Sequence, residues 1–362
     1  MKLLKFKKTA FISAIFISAT LFSYAGKDEY SKEIHKEYDA NEQTVLEIEN
    51  KYGDVEITNW DQNKVVFDIK ITVDHRKEEK AKELLEYISI EFSQSGNTIK
   101  AITDIDSKFN KSGWFFGLDG DSKEFSIDYT VKMPKHLELK LMNKYGAVFI
   151  DEITGRADIS VKYGNLKANN IIRDNTKPLS RVYLAYSDGT IKETEWLKLE
   201  LKYSKLEIEK SKALIGVTKY SKLYIDKASS IVCESKYDQY KIGKLSNFVG
   251  EAKYTDFRFN EISKKLDLTT KYGDVEVNNV PKGFEKIKIQ NDYGHIEIEI
   301  NEDASYRLEG EAEYADIDYP GGYKVSRIEE NTELNVSGII GKDKNTKSEV
   351  IIDTKYGGVK LD

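Results

Sequence analysis

One tyrosine recurs along this chain in a fixed local setting, at Tyr52, Tyr145, Tyr163, Tyr186, Tyr203, Tyr220, Tyr237, Tyr254, Tyr272, Tyr293, Tyr314 and Tyr356. From Tyr186 to Tyr254 the step is 17 residues four times running, and elsewhere in the main array it is 18, 21 or 23. A short fixed period that carries strand-like text predicts a solenoid, each repeat forming one coil stacked on the last.

The text around Tyr203 shows how a repeat specifies its coil. Leu197, Leu199, Leu201 and Tyr203 share one parity, and Lys198, Glu200 and Lys202 share the other. That is the period-2 alternation of a strand with one buried face. Past the tyrosine the phase slips by one, so that Leu206 and Ile208 become the apolar positions. A slip of one residue would turn a continuing strand inside out, so the chain is expected to turn a corner near Ser204. The residue after the tyrosine is Gly, Ser, Asp, Thr or Ala, which suits a tight turn. The expected fold is therefore all-β: a single-chain, β-helix-like solenoid with coils of about 17–21 residues. Its tyrosines should form a structural ladder at a pitch of about 4.8 Å. The lysines that precede them (Lys51, Lys144, Lys162, Lys202, Lys219, Lys236, Lys253, Lys271, Lys355) point outward by parity, as a solvated column or an anion- or glycan-binding stripe.

Residues 1–25 read as a secretory signal. Lys2, Lys5, Lys7 and Lys8 precede an apolar run from about Ala10 to Phe22, and Ser23-Tyr24-Ala25 resembles a cleavage site. The run is short for a membrane span, and no second stretch of spanning length follows. The mature chain is thus expected to be exported, to the periplasm, the cell surface or the medium, with no transmembrane span. Formal net charge is −6 for the whole sequence, and more negative once the signal lysines are removed. With no basic cluster, nucleic acid and anionic membrane are poor partners. The one cysteine, Cys233, falls on an inward column and reads as a buried thiol.

After the signal, residues 26–136 are expected to hold the first coil plus a small strand–helix–strand cap insertion, and 137–362 the repeat array. Val65–Val73 alternates as a strand, and Ala81, Leu84, Leu85 and Ile88 then recur at helical spacing with Asp74 as the expected N-cap. Ser89–Phe92, Thr98–Ile102 and Glu124–Lys132 read as further strands. Such a unit can cover the β edge that an open solenoid end exposes. The stretch between Tyr314 and Tyr356 lacks a ladder tyrosine, but Leu334 and Val336 keep strand alternation, which predicts a degenerate copy there.

The signal segment, the strand–helix–strand unit, Tyr129-Thr130-Val131-Lys132-Met133-Pro134 and the repeated Lys-Tyr-Gly-Asp text at 51–54 and 271–274 resemble a bacterial family of adhesin-like, β-strand-repeat envelope proteins built on a domain of unknown function. The resemblance implies a β-helix-like solenoid in the cell envelope and carries over no catalytic residue.

No catalytic, cofactor or metal constellation stands out. The four histidines are scattered, without a second His or Cys at ligand spacing. Asp54, Asp256 and Asp274 recur just after the tyrosine, but most coils carry another residue there. Two features in one loop are more distinctive: Trp114, Phe115 and Phe116 between glycines, as a candidate binding tip, and Asp119-Gly120-Asp121, as a weak calcium motif with Asp104 or Asp106. The expected function is a non-catalytic surface module that meets an envelope glycan or a surface protein. Alternatives are a glycan-cleaving β-helix enzyme, and a purely structural envelope protein linked to envelope stress. The register itself can be tested. Leu206→Asp should cost several kcal/mol by placing an unpaired charge in the stacked core, and thermal unfolding matching the parent would refute the assigned parity.

Overall fold

The computed structural model describes residues 29–111 and 125–362. The signal segment 1–25 lies outside the described residues, as do Trp114, Phe115, Phe116, Asp119 and Asp121. The described strands form one continuous sheet that winds into a stack of coils. In the central array the strands Asp188–Lys202, Lys205–Lys219, Lys222–Lys236 and Gln239–Lys253 follow one another. Each runs from behind one tyrosine, around the far corner of the coil, to the residue before the next. Successive coils pair in parallel, so that equivalent residues face one another: Leu206 opposes Leu223, Ile208 opposes Ile225 and Leu214 opposes Ile231. The expected inward set is buried: Leu199, Leu201, Leu206, Ile208, Leu223, Ile225, Leu268, Val275 and Val277 are each at most 2% exposed.

The tyrosines occupy the corner in a different way from the one the parity suggests. The turn is made at the tyrosine, not at the residue after it. All twelve sit in the left-handed region, with φ between 50° and 66°. This backbone swings the ring out of the inward column, and eleven of the rings are 39–54% exposed. A non-glycine residue in that region costs roughly 1–2 kcal/mol. The offset comes from stacking. Each ladder tyrosine meets the next at 4.7–5.1 Å between centroids, with planes within 17°. Aromatic pairs in such geometry contribute about 0.5–1.5 kcal/mol beyond area burial. The ladder of backbone hydrogen bonds also runs through the corner: Tyr203 N donates to Lys219 O at 3.0 Å and Tyr220 N to Lys236 O at 3.1 Å.

Behind every ladder tyrosine except Tyr314, which is followed by Ala315, the coils meet in one of two ways. In the Tyr163 coil the next residue is Gly164, where a Cβ would lie 1.9 Å from the Gly146 carbonyl oxygen, so no side chain fits. In the central coils side-chain oxygens fill the same column. Ser204 Oγ accepts from Ser187 N, Ser221 Oγ from Ser204 N, and Asp238 Oδ1 from Ser221 N.

At the N-terminal end the insertion prolongs the stack before ending it. Thr98–Ile105 pairs in parallel with Val45–Lys51, and Phe125–Met133 with Val55–Asn59, which adds one more coil below the first. Antiparallel strands then close the edges: Ile88–Ser95 against Thr98–Ile105, Lys64–Asp74 against Phe125–Met133, and Glu29–Asp39 against Lys64–Asp74. The helix Glu78–Glu86 buries Ala81, Leu84 and Leu85. Its N-cap is Lys77 rather than Asp74, and Ile88 has already joined the following strand.

The C-terminal end departs most from the expectation. The stretch between Tyr314 and Tyr356 is not a degenerate coil. It holds the antiparallel hairpin Val325–Glu330 and Glu333–Ile340, whose second strand pairs antiparallel with Tyr306–Glu313. The last coil in sequence is also not the last in space. Its strand Glu349–Lys355 lies between Lys286–Asp292 and Tyr306–Glu313, parallel to both. The ladder accordingly runs Tyr293, Tyr356, Tyr314. A degenerate coil would have needed inward residues on two faces, whereas 325–330 is exposed along most of its length.

The left-handed corner separates two effects at Tyr220. Tyr220→Ala loses both stacked neighbours yet keeps the backbone penalty, and should cost about 2 kcal/mol. Tyr220→Gly loses the same stacking but relaxes the backbone, and should be no less stable than the alanine variant in urea unfolding. A glycine variant clearly weaker than alanine would show that the corner carries no backbone strain.

Candidate interaction face

The strand that leads into each tyrosine presents three outward columns beside the ring ladder, in positions five, three and one residues before it. In-register pairing carries each column from coil to coil, through Arg181, Lys198, Ile215, Val232, Val249 and Asp267 for the first. The second passes through Tyr183, Glu200, Val217, Glu234 and Glu251, and the third through Lys202, Lys219, Lys236 and Lys253.

Toward the N-terminus this face is charge-paired. Arg181 Nε lies 3.0 Å from Asp158 Oδ1, and Lys202 Nζ lies 3.0 Å from Glu200 Oε1. Over three coils in the middle the pattern changes. Ile215, Val217, Val232 and Val249 stand side by side, 36–45% exposed, on the outer surface. Charge therefore does not occupy every outward column, and parity alone marks these four side chains as solvent-facing. Among the described residues Lys219, Lys236 and Lys253, at the edge of this patch, have no carboxylate in ion-pair contact; Lys219 and Lys236 lie 5.4 and 5.3 Å from the ring centres of Tyr220 and Tyr237. A groove of about 400 Å³ runs between the lysine column and the neighbouring column, floored by Leu201, Thr218, Ser235 and Ala252.

Under that floor lies a buried polar cluster. Asp238 Oδ2 accepts hydrogen bonds from Thr218 Oγ1 at 2.7 Å, Ser235 Oγ at 2.7 Å and Lys236 N at 2.9 Å. Burial nevertheless pushes its carboxyl above the usual range, against the lowering effect of these donors. Tyr240, fully buried, shares a 2.7 Å hydrogen bond with Thr218. Cys233 is buried beside it, and burial pushes its thiol up to about 12. A thiol held protonated in this way is a poor nucleophile.

The recurring aspartates have structural partners. Asp54 Oδ1 accepts from Ala147 N at 2.7 Å, Asp256 Oδ1 from Asp274 N at 3.2 Å, and Asp274 Oδ1 from His295 N at 2.9 Å. Each ties its corner to the next coil. Among the described residues no three His, Cys, Asp or Glu side chains are gathered where they could hold a metal ion, and no helix is long and apolar enough to cross a membrane.

Residues 43–362, nearly the whole described array, match the family model described as Toastrack DUF4097. The chain belongs to this family. Toastrack members are known as a domain of unknown function, and the fold here is its β-solenoid-like repeat. Three solved structures are similar over most of their length. A "putative cell adhesion protein" from Clostridium sporogenes shares 13% identity, with 91% of this chain and 98% of that one covered and a TM-score of 0.21. A "putative adhesin" from Bacteroides fragilis shares 11%, with 91% and 97% covered and a TM-score of 0.26. A "putative lipid binding protein" from Parabacteroides distasonis shares 10%, with 91% and 96% covered and a TM-score of 0.30. Likenesses this distant fix neither a ligand nor an activity. No curated protein matches the sequence.

The raised carboxyl of Asp238 gives a pH test with a defined sign. Above the usual carboxylate value and below its own, the folded state keeps a proton that the unfolded chain has released, so stability falls as pH rises through that window. Asp238→Asn removes this dependence. The stability of the parent relative to the variant should therefore decline from about pH 4 upward, in melts compared at matched pH. A flat difference would mean that burial leaves the Asp238 carboxyl at its usual value, and one that grows with pH would place it below that value.

Proposed function

We propose that this Toastrack chain is an exported, non-catalytic interaction module of the adhesin type, and that it works by display. A stack of coils holds identical positions at one fixed pitch, so a weak contact made by one coil is repeated by the next. The observation that carries the reading is the apolar patch Ile215, Val217, Val232 and Val249, set in a face whose other outward positions are mostly charged or polar. Contiguous exposed apolar groups rimmed by polar ones mark interaction sites on soluble proteins. Lys219, Lys236 and Lys253 along one margin supply ammonium groups, without carboxylate partners of their own, to anionic or hydroxyl-bearing groups of an envelope glycan or surface protein. In the same reading residues 26–136 hold the first coil and the insertion that caps it, the segment 1–25 directs export, and Trp114, Phe115 and Phe116 form a second contact tip.

The corner aspartates favour this over glycan cleavage, because hydrogen bonds to backbone amides occupy carboxylate oxygens that general acid–base work would need. The proposal is tested with Val232→Glu combined with Val249→Glu, both at outward positions. Melting temperature should stay within a few degrees, while attachment of the purified chain to isolated cell-wall glycan or to whole bacterial cells drops at least tenfold. Unchanged attachment would remove this face from consideration.

A further inference from the structure

The displaced last coil has a charge pattern that explains its position. Five outward columns cross it, and in three of them opposite charges meet on both sides; in the other two Ile351 lies between Lys288 and Glu309, and Asp353 between Gln290 and Glu311. In the first of the three charge-paired columns, Glu349 lies between Lys286, 3.3 Å away, and Arg307, 3.7 Å away. In the second, Lys355 opposes Asp292 on one side and reaches Glu313 at 2.6 Å on the other. In the third, Lys360 pairs with Glu297 at 3.2 Å and opposes Asp318. Sign therefore alternates across the coil in all three columns.

If the Tyr314 coil were stacked directly on the Tyr293 coil in the same register, every one of these contacts would reverse. Lys286 would face Arg307, Asp292 would face Glu313, and Glu297 would face Asp318. In these three columns the two coils that flank the last one are thus matched to it and mismatched to each other. Among the ladder repeats, only the Tyr145 coil also carries Glu seven residues before its tyrosine and Lys one before it, as Glu138 and Lys144. That pair is already engaged, Glu138 with Arg156 at 2.9 Å.

We propose that the gap between the Tyr293 and Tyr314 coils is a strand-acceptor slot, and that its partner in trans is the 349–361 coil of a second copy of this chain. The connection Gly341–Ser348 has no regular structure and is mostly exposed. Eight such residues can span roughly 26 Å when extended, so the coil can reach a neighbouring copy once the ladders on both sides of Glu349–Lys355, the stacking of Tyr356 and the linker's hydrogen bonds to Ser305 and Phe284 have opened. A swapped pair makes the contacts of the closed monomer, so only the local concentration of coils separates the two states. A tethered segment of this length acts at about millimolar effective concentration. The closed form therefore dominates in dilute solution, and exchange takes over where copies are crowded. This assignment is independent of the apolar face proposed above.

The test uses the full chain and a fluorescent peptide of residues 345–362. A second peptide carries Glu349→Lys, Lys355→Glu and Lys360→Glu. After warming to just below melting and slow cooling, the natural chain should take up the first peptide at least tenfold better than the second. A chain carrying Lys286→Glu, Arg307→Glu, Asp292→Lys, Glu313→Lys, Glu297→Lys and Asp318→Lys should invert that preference. The natural chain near millimolar concentration should also form a dimer by light scattering, and an excess of the natural peptide should dissolve it. Should the natural chain take up both peptides equally, or neither, the charge-coded slot is refuted, whether or not the multiple variant folds. Peptide uptake without any concentrated dimer would refute the second copy as partner.

Discussion

The left-handed tyrosine corner is the constraint on which the rest of the molecule depends. A strand that must bury alternate residues on both sides of a bend has to change phase, and a single residue at positive φ does so in the least chain length. Tyrosine in that conformation is strained on its own and becomes tolerable when its ring lies against another at one coil spacing. The corner therefore makes sense only as an array. Each ring sets the position of the next, each backbone N–H reaches the carbonyl of the following coil, and the apolar columns inside inherit the same pitch. The glycine column and the Ser–Asp column are two ways of letting coils approach that closely behind the ring.

Much of the architecture was legible because the repeat is long and its parity strict. Leu199, Leu201, Leu206 and Ile208 could be placed inside from alternation alone, and the tyrosine period indicated stacking. What escaped was whatever the local pattern does not encode. A tyrosine in phase with Leu201 looks inward until the backbone at that residue is known to be left-handed. Asp74 looks like a cap, but the helix begins four residues later, after Lys77. The hairpin 325–340 alternates as a coil strand would, yet its partner is antiparallel and its outer strand has no inner face. The apolar patch was visible at outward parity in Ile215, Val217, Val232 and Val249, and was obscured by the charged text around it.

The order of coils at the C-terminal end was also written in the chain, in a code that pairwise alternation does not reveal. Lys286 and Arg307 both call for an acid between them, and Asp292 and Glu313 both call for a base. Only comparison of whole columns shows that the coil ending at Asp362 satisfies all of them. Outward residues of a solenoid are usually regarded as solvated decoration. Here they distinguish the correct neighbour from one that is equally compatible in shape.

That placement also changes how the molecule answers to force. A coil at the open end of a stack is held along one side and can be peeled away, one hydrogen bond after another. The strand Glu349–Lys355 is instead bonded along both sides, and the coil beyond it is clasped in turn by the hairpin strand Glu333–Ile340. Tension that draws on this strand thus has to shear two ladders together, and Tyr356 beside it must leave two stacked rings rather than one. The rim that faces outward at this end is made instead by the Tyr314 coil and the hairpin, which precede the enclosed coil in sequence.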